Sequence, residues 1–174
     1  MNLYFIRHGI AADPLDYSQD SDRPLTSKGQ EKTIQVAQKI RQLDIHFAHL
    51  FTSPLVRARQ TAQILQEQGL TSQLEVLTAL APAGDLQDLL DRLAASSYQP
   101  DDCLALVGHQ PDLGDWAEKL VWGEVRDKLI LKKAGIIGVN FAETAIAEGQ
   151  GQLFLLTSPK WLSSDDHCSR LIKR

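Results

Sequence analysis

The feature that most narrows the possible folds is an alternation of short apolar runs with longer stretches of helical apolar spacing. Residues 3–6, 47–52, 74–77, 103–107, 135–141 and 153–157 are apolar runs of strand length bounded by turn-forming residues, so they are read as six strands. Between them, Leu86, Leu89, Leu90, Leu93 and Ala94 recur at one-face helical spacing, and Leu113, Trp116, Ala117, Leu120 and Val121 repeat it. Ile34, Ala37, Ile40 and Leu43 mark a third helix after Thr26. Leu55, Ala58, Ala62 and Leu65 mark a fourth, with Ser53 expected as its N-cap and Pro54 at its first helical position. Right-handed crossovers lay such helices over both faces of a sheet. The expected fold is therefore α/β, a three-layer α/β/α sandwich with a mostly parallel, roughly six-stranded central sheet. With no repeat, low-complexity tract or linker, residues 1–160 are expected to form one domain, followed by a polar tail over 161–174.

Charge and cysteine usage exclude several function classes. Eighteen Lys and Arg against 22 Asp and Glu give a net charge of −4, which argues against nucleic acid as a partner. Cys103 and Cys168 match no metal or redox spacing and read as free thiols of a reducing compartment. The first apolar run meets Arg7 and His8 too early to be a signal or membrane segment, so a cytoplasmic protein without membrane contact is expected.

Parallel sheets gather ligands at the carboxyl ends of their strands, which directs attention to Arg7-His8-Gly9, Ser53 to Arg57, and Gly108-His109. Arginine offers a fork of donors for phosphate oxygens, and histidine a nitrogen nucleophile or base. Gly9 lets the backbone approach a ligand closely. Arg57 is expected about one turn inside its helix, returning its guanidinium to the strand ends, while Arg59, two residues on, faces elsewhere into solvent. Each segment alone could be a surface loop or a hydrogen-bonded turn. Together they describe an oxyanion site with two histidines and two arginines.

In these residues the chain resembles the histidine phosphatase superfamily, whose Arg-His-Gly motif stands here as Arg7-His8-Gly9. Asp22 to Gly29 is similar to the superfamily's acidic-x-x-Leu-Thr-x-x-Gly helix entry. Ser53-Pro54-Leu55-Val56-Arg57-Ala58-Arg59-Gln60-Thr61-Ala62 resembles its Ser-Pro-x-x-Arg-Ala-x-x-Thr-Ala block, and Val107 to Pro111 its second histidine block. The short length and the stretches 23–26 and 82–85 look most like the small SixA-type phosphohistidine phosphatases. The resemblance implies that His8 is the nucleophile, that Arg7, Arg57 and His109 hold the phosphoryl oxygens, and that no metal or other cofactor takes part. Gly9, Arg23 and Gly108 are expected to contact the substrate, Arg23 from its loop or else paired with Asp20 or Asp22.

One departure bears on the substrate. Many relatives carry a glutamate general acid shortly after the third strand, and Ala79 occupies that place here. An ester leaving group needs a proton donor, whereas a phosphoramidate nitrogen can be protonated before it leaves. A phosphohistidine-bearing phosphotransfer protein is therefore the expected partner, with small phosphoesters as the alternative and a phosphate-recognising module without turnover as a third reading. Asp85 is the candidate general acid, its competing role being the N-cap of the next helix. His46, His49 and His167 are read as structural or solvated, and the absence of a long insertion predicts an open pocket.

Overall fold

Alternate residues of the central strands serve two different cores. In a computed structural model, which describes residues 1–143 and 145–162, Leu3, Phe5, Leu104 and Leu106 point to one face of the sheet, and Tyr4, Ile6, Ala105 and Val107 to the other. All of them are buried, as expected of parallel strands covered on both sides.

The elements follow in the order β1 (Asn2–Arg7), α1 (Ser27–Gln42), β2 (His49–Thr52), α2 (Val56–Glu67), β3 (Leu74–Val76), α3 (Leu86–Ala94), β4 (Cys103–Gly108), α4 (Asp112–Trp122), β5 (Ile136–Asn140), β6 (Gln152–Thr157) and α5 (Pro159–Leu162). The sheet order is β3-β2-β4-β1-β5-β6. Strands β1 to β4 are mutually parallel, β5 runs antiparallel to β1, and β6 is antiparallel to β5. Helices α1 and α2 cover one face through Val36, Ala37, Ile40, Ala58, Ala62 and Leu65. Helices α3 and α4 cover the other through Leu86, Leu89, Leu93, Leu113, Trp116 and Leu120. The three-layer sandwich is as the sequence leads one to expect.

Local signals fix most boundaries. Thr26 caps α1, its Oγ1 accepting from the Gly29 N–H at 3.0 Å. Gly123, at φ 77°, ends α4 in the left-handed conformation and donates its N–H to Lys119 O. Two expectations are corrected. Helix α2 begins at Val56 with Leu55 as N-cap, so Ser53 is not its cap, and Arg57 is its second residue rather than a turn inside it. Helix α5 reaches Leu162, which packs against the core on the α1 and α2 face. His167 and Cys168 lie outside the described residues.

Candidate active site

The carboxyl ends of β1, β2 and β4 meet at one edge of the sheet, and their register brings the expected residues together. Arg7 pairs with Gly108 at the last rung of the β1–β4 ladder, and the His8 N–H donates to Gly108 O at 3.1 Å. A cavity of about 540 Å³ opens there, lined by Arg7, His8, Arg23, Arg57 and His109 together with Asp20, Gln110, Asp112, Lys133 and the exposed rim of Pro82, Ala83 and Pro111.

His8 is 6% exposed, Arg57 5% and His109 4%, so three polar side chains are held almost out of water. His8 Nδ1 lies 2.7 Å from Gly9 O. A carbonyl only accepts, so Nδ1 carries the ring proton and Nε2 keeps its lone pair. That lone pair faces Arg57, whose Nε donates to His8 Nε2 at 3.3 Å. The His109 ring centroid is 5.1 Å from that of His8, and its Nε2 is 2.8 Å from Ser53 Oγ. Burial pushes His8 down to about 3, with the neighbouring His109, Arg57 and Arg7 acting in the same direction. Burial, then Arg57, bring His109 down to about 4. Both rings are neutral at pH 7.

The backbone around His8 is fixed from several sides. Gly9 N–H donates to Thr61 Oγ1 at 3.0 Å, and Thr61 Oγ1 donates to Arg57 O at 2.8 Å, so one hydroxyl ties the end of β1 to the start of α2. Ala134 sits at φ 57°, and its N–H is shared between Arg7 O and His8 O at 3.0 and 3.1 Å. Arg7 Nη1 donates to Leu131 O at 2.8 Å. The loop carrying Leu131 is itself anchored by the buried Glu118 of α4, which accepts from the N–H groups of Arg126, Lys128 and Leu129. Burial pushes the Glu118 carboxyl up, and these backbone donors outweigh it and hold it below the usual carboxylate range.

The site also contains what the sequence reading did not assign to it. Asp20, on the loop between β1 and α1, receives Arg57 Nη2 at 2.8 Å and Arg23 Nη1 at 2.5 Å on its carboxylate, while its carbonyl accepts from Arg57 Nη1 at 2.6 Å. The Arg23 hydrogen bond, outweighing partial burial, holds the Asp20 carboxyl below its ordinary range. Asp112 accepts from Ala83 N–H at 3.3 Å. Asp20 was legible only as an ion-pair partner for Arg23, and Ser53 only as a helix cap. The available signals were that Ser53 opens the Ser-Pro-x-x-Arg-Ala block at a strand end and that Asp20 lies close to the Asp22 to Gly29 stretch.

Three expectations change. Asp85 caps α3, accepting from Gln87 N–H at 2.9 Å, and does not line the cavity; the carboxylates that do are Asp20 and Asp112. Gly9 and Gly108 are not cavity walls either. A Cβ on Gly9 would stand 2.6 Å from Thr33 Oγ1, and one on Gly108 3.2 Å from Leu113 Cδ2, so these glycines permit close packing behind His8. Arg23 does line the cavity, and it also pairs with Asp20. Ala79 is buried in the apolar core. His49 stacks on Phe51 at 4.4 Å, His46 is exposed and Arg59 is exposed, all away from the site. Among the described residues no three His, Cys, Asp or Glu side chains converge to hold a metal ion, and no helix is long and apolar enough to cross a membrane.

The buried neutral histidines make folding stability depend on pH. Between pH 6.5 and about 4 the unfolded chain binds protons at His8 and His109 that the folded chain does not, so stability falls as pH falls. The limiting slope is about 1.4 kcal/mol per pH unit for each histidine. His49, lowered chiefly by burial, adds the same sign, whereas Asp20, Glu75 and Glu118, whose folded values are depressed, lose their contribution only below the ordinary carboxylate range. Urea midpoints measured in phosphate-free buffer are expected to drop steadily from pH 7 to pH 5, with a clearly shallower slope in His109→Gln. Equal slopes would contradict a buried neutral His109.

A sequence profile of the histidine phosphatase superfamily (branch 1) matches residues 3–108. The chain is 53% identical over 163 residues to an uncharacterised protein of Picosynechococcus sp. (strain ATCC 27264 / PCC 7002 / PR-6), covering 93% of this chain and 99% of that protein. It is 33% identical over 128 residues to the phosphohistidine phosphatase SixA of Escherichia coli (strain K12), covering 71% of this chain and 76% of that one. Among solved structures it resembles the protein histidine phosphatase SixA complexed with tungstate, at a TM-score of 0.80 and 29% identity, over 93% of this chain and 99% of that one.

Proposed function

The chain belongs to the histidine phosphatase superfamily, and from that premise we propose that it removes the phosphoryl group from phosphohistidine on proteins, in the cytoplasm, through a phospho-His8 intermediate. The observation that carries the reading is the state of His8: Nδ1 tied to Gly9 O, Nε2 unprotonated, and the ring set between two arginines and a second histidine.

In the first step the Nε2 lone pair of His8 attacks phosphorus, the bond from phosphorus to the substrate nitrogen breaks, and the departing imidazole leaves with the proton it already carries. Arg7, Arg57 and His109 face the three oxygens, whose charge grows as a loose transition state forms. The proton stays on Nδ1, donated to Gly9 O, so the charge that develops on the His8 ring is met by a fixed carbonyl dipole. In the second step water attacks the phosphoryl group, the bond to Nε2 breaks, and inorganic phosphate leaves.

The buried Ala79 supports phosphohistidine over an ester, since no carboxylate stands where ester-cleaving relatives keep their acid. Asp20 is a poor proton donor while two guanidinium groups hold it ionised. The second reading, a small-molecule phosphomonoesterase, is favoured by Asp112, a carboxylate on the cavity wall. Phosphate release is to be measured from a phosphohistidine peptide and from a panel of small phosphoesters, with wild type, His8→Ala and Asp112→Asn. Turnover of the peptide at least 10²-fold faster than of any ester, unaffected by Asp112→Asn, is the expected result. Faster ester hydrolysis that collapses in Asp112→Asn would replace the reading.

A further inference from the structure

A second cavity, also of about 540 Å³, lies beside the first and shares Arg7 and Lys133 with it. Its other cations are Lys32 from α1, Lys132 from the loop before β5, and Lys160 from α5, with Ile10 and Pro159 supplying apolar wall. Segments far apart in sequence thus bring lysines to one rim in a chain whose net charge is −4. Among the described residues none of the walls is acidic. Burial, and then the charges of Arg7, Arg23 and Arg57, lower Lys133 from its usual range, so the wall shared with the first cavity lies in the field of that cavity's arginines.

We propose that this lysine-rimmed cavity docks an acidic segment of the phosphorylated protein, an apolar side chain entering against Ile10 and Pro159 while flanking carboxylates meet Lys32 and Lys132. The proposal rests on the reading that the substrate is a phosphoprotein. The choice of lysine favours this occupant over a second phosphate on a small molecule. Lysines are flexible point charges suited to diffuse attraction of several carboxylates, and the cavity's one guanidinium, Arg7, is shared with the first cavity and held on Leu131 O.

The test uses two phosphohistidine peptides that share an apolar residue and differ in having Asp and Glu or Ser and Gln as flanks, with the full chain as wild type and as the double variant Lys32→Glu, Lys132→Glu. At low ionic strength wild type is expected to show a KM about tenfold lower for the acidic peptide. The double variant is expected to lose that preference, with kcat and the KM for the neutral peptide unchanged. Lys32→Gln with Lys132→Gln serves as the milder form should reversal perturb folding. Fluorescence anisotropy with the unphosphorylated acidic peptide reads docking without turnover, so it separates the two readings. If wild type binds it and the variant does not, docking stands even where no phosphohistidine is hydrolysed. Equal KM values for both peptides in wild type, or a variant that weakens both alike, would overturn the proposal. So would a small bisphosphate that competes more strongly than the acidic peptide and loses that advantage in the double variant.

Discussion

Replacing His8 with alanine is expected to lower turnover by at least about 10⁴-fold and to leave no acid-labile phosphoenzyme. The size follows from the role: without Nε2 no covalent intermediate forms, and the remaining cations can only orient a water on the substrate. The fold should survive, because the change removes two hydrogen bonds, to Gly9 O and from Arg57 Nε, at a cost on the order of 1 kcal/mol each. Turnover, ³²P trapping and the far-ultraviolet circular dichroism of the same preparation test this together. A folded variant that retains more than a few per cent of wild-type turnover would exclude His8 as the phosphoryl acceptor.

The next largest effect is expected at Arg57. Its guanidinium is buried, contacts His8 through Nε and directs Nη1 and Nη2 to Asp20. Arg57→Ala should reduce kcat/KM by roughly 10³-fold, with KM raised and kcat lowered together, since the group meets the phosphoryl oxygens both before and during transfer. Arg57→Lys should recover little of that, because an ammonium cannot reproduce the fork. A second readout distinguishes chemistry from mere packing. Arg57 is one of the charges that depress His8, so the acid limb of kcat/KM should move to higher pH in Arg57→Ala. A normal kcat/KM, or an acid limb that stays in place, would count against this assignment.

Much of the architecture was legible because it is written in periodicity. The six strands and four longer helices emerge from alternating runs and helical stripes, and the strand ends then point to Arg7, His8 and His109. The reversed direction of β5 was not legible: the loop after α4 climbs back to Arg7, where Leu131 O receives its guanidinium, so the next strand must run down from that end. Ser53 misled because Ser-Pro has the look of a helix start. Residues 53–55 instead precede the helix, with Ser53 Oγ accepting from Leu55 N–H at 3.3 Å and meeting His109. Asp20, on a loop, and Asp112, the first residue of α4, could not be placed because they reach the cavity through tertiary folding, which no local pattern encodes. Asp85 behaved as local pattern dictates, as a helix cap.

Asp20 changes what it means for this site to attract an anion. Its carboxylate already lies on Arg57 and Arg23, held there by its own chain, and such a tethered group competes at an effective concentration on the order of millimolar. An arriving phosphoryl group therefore exchanges one anion for another, and its affinity is set by a difference between two attractions. Weakly held anions, including the inorganic phosphate just produced, meet a rival that never diffuses away. On the reading proposed above, the carrier protein's own attraction adds to that of its phosphoryl group, which free inorganic phosphate of the same charge lacks, and that difference would favour the substrate over its product.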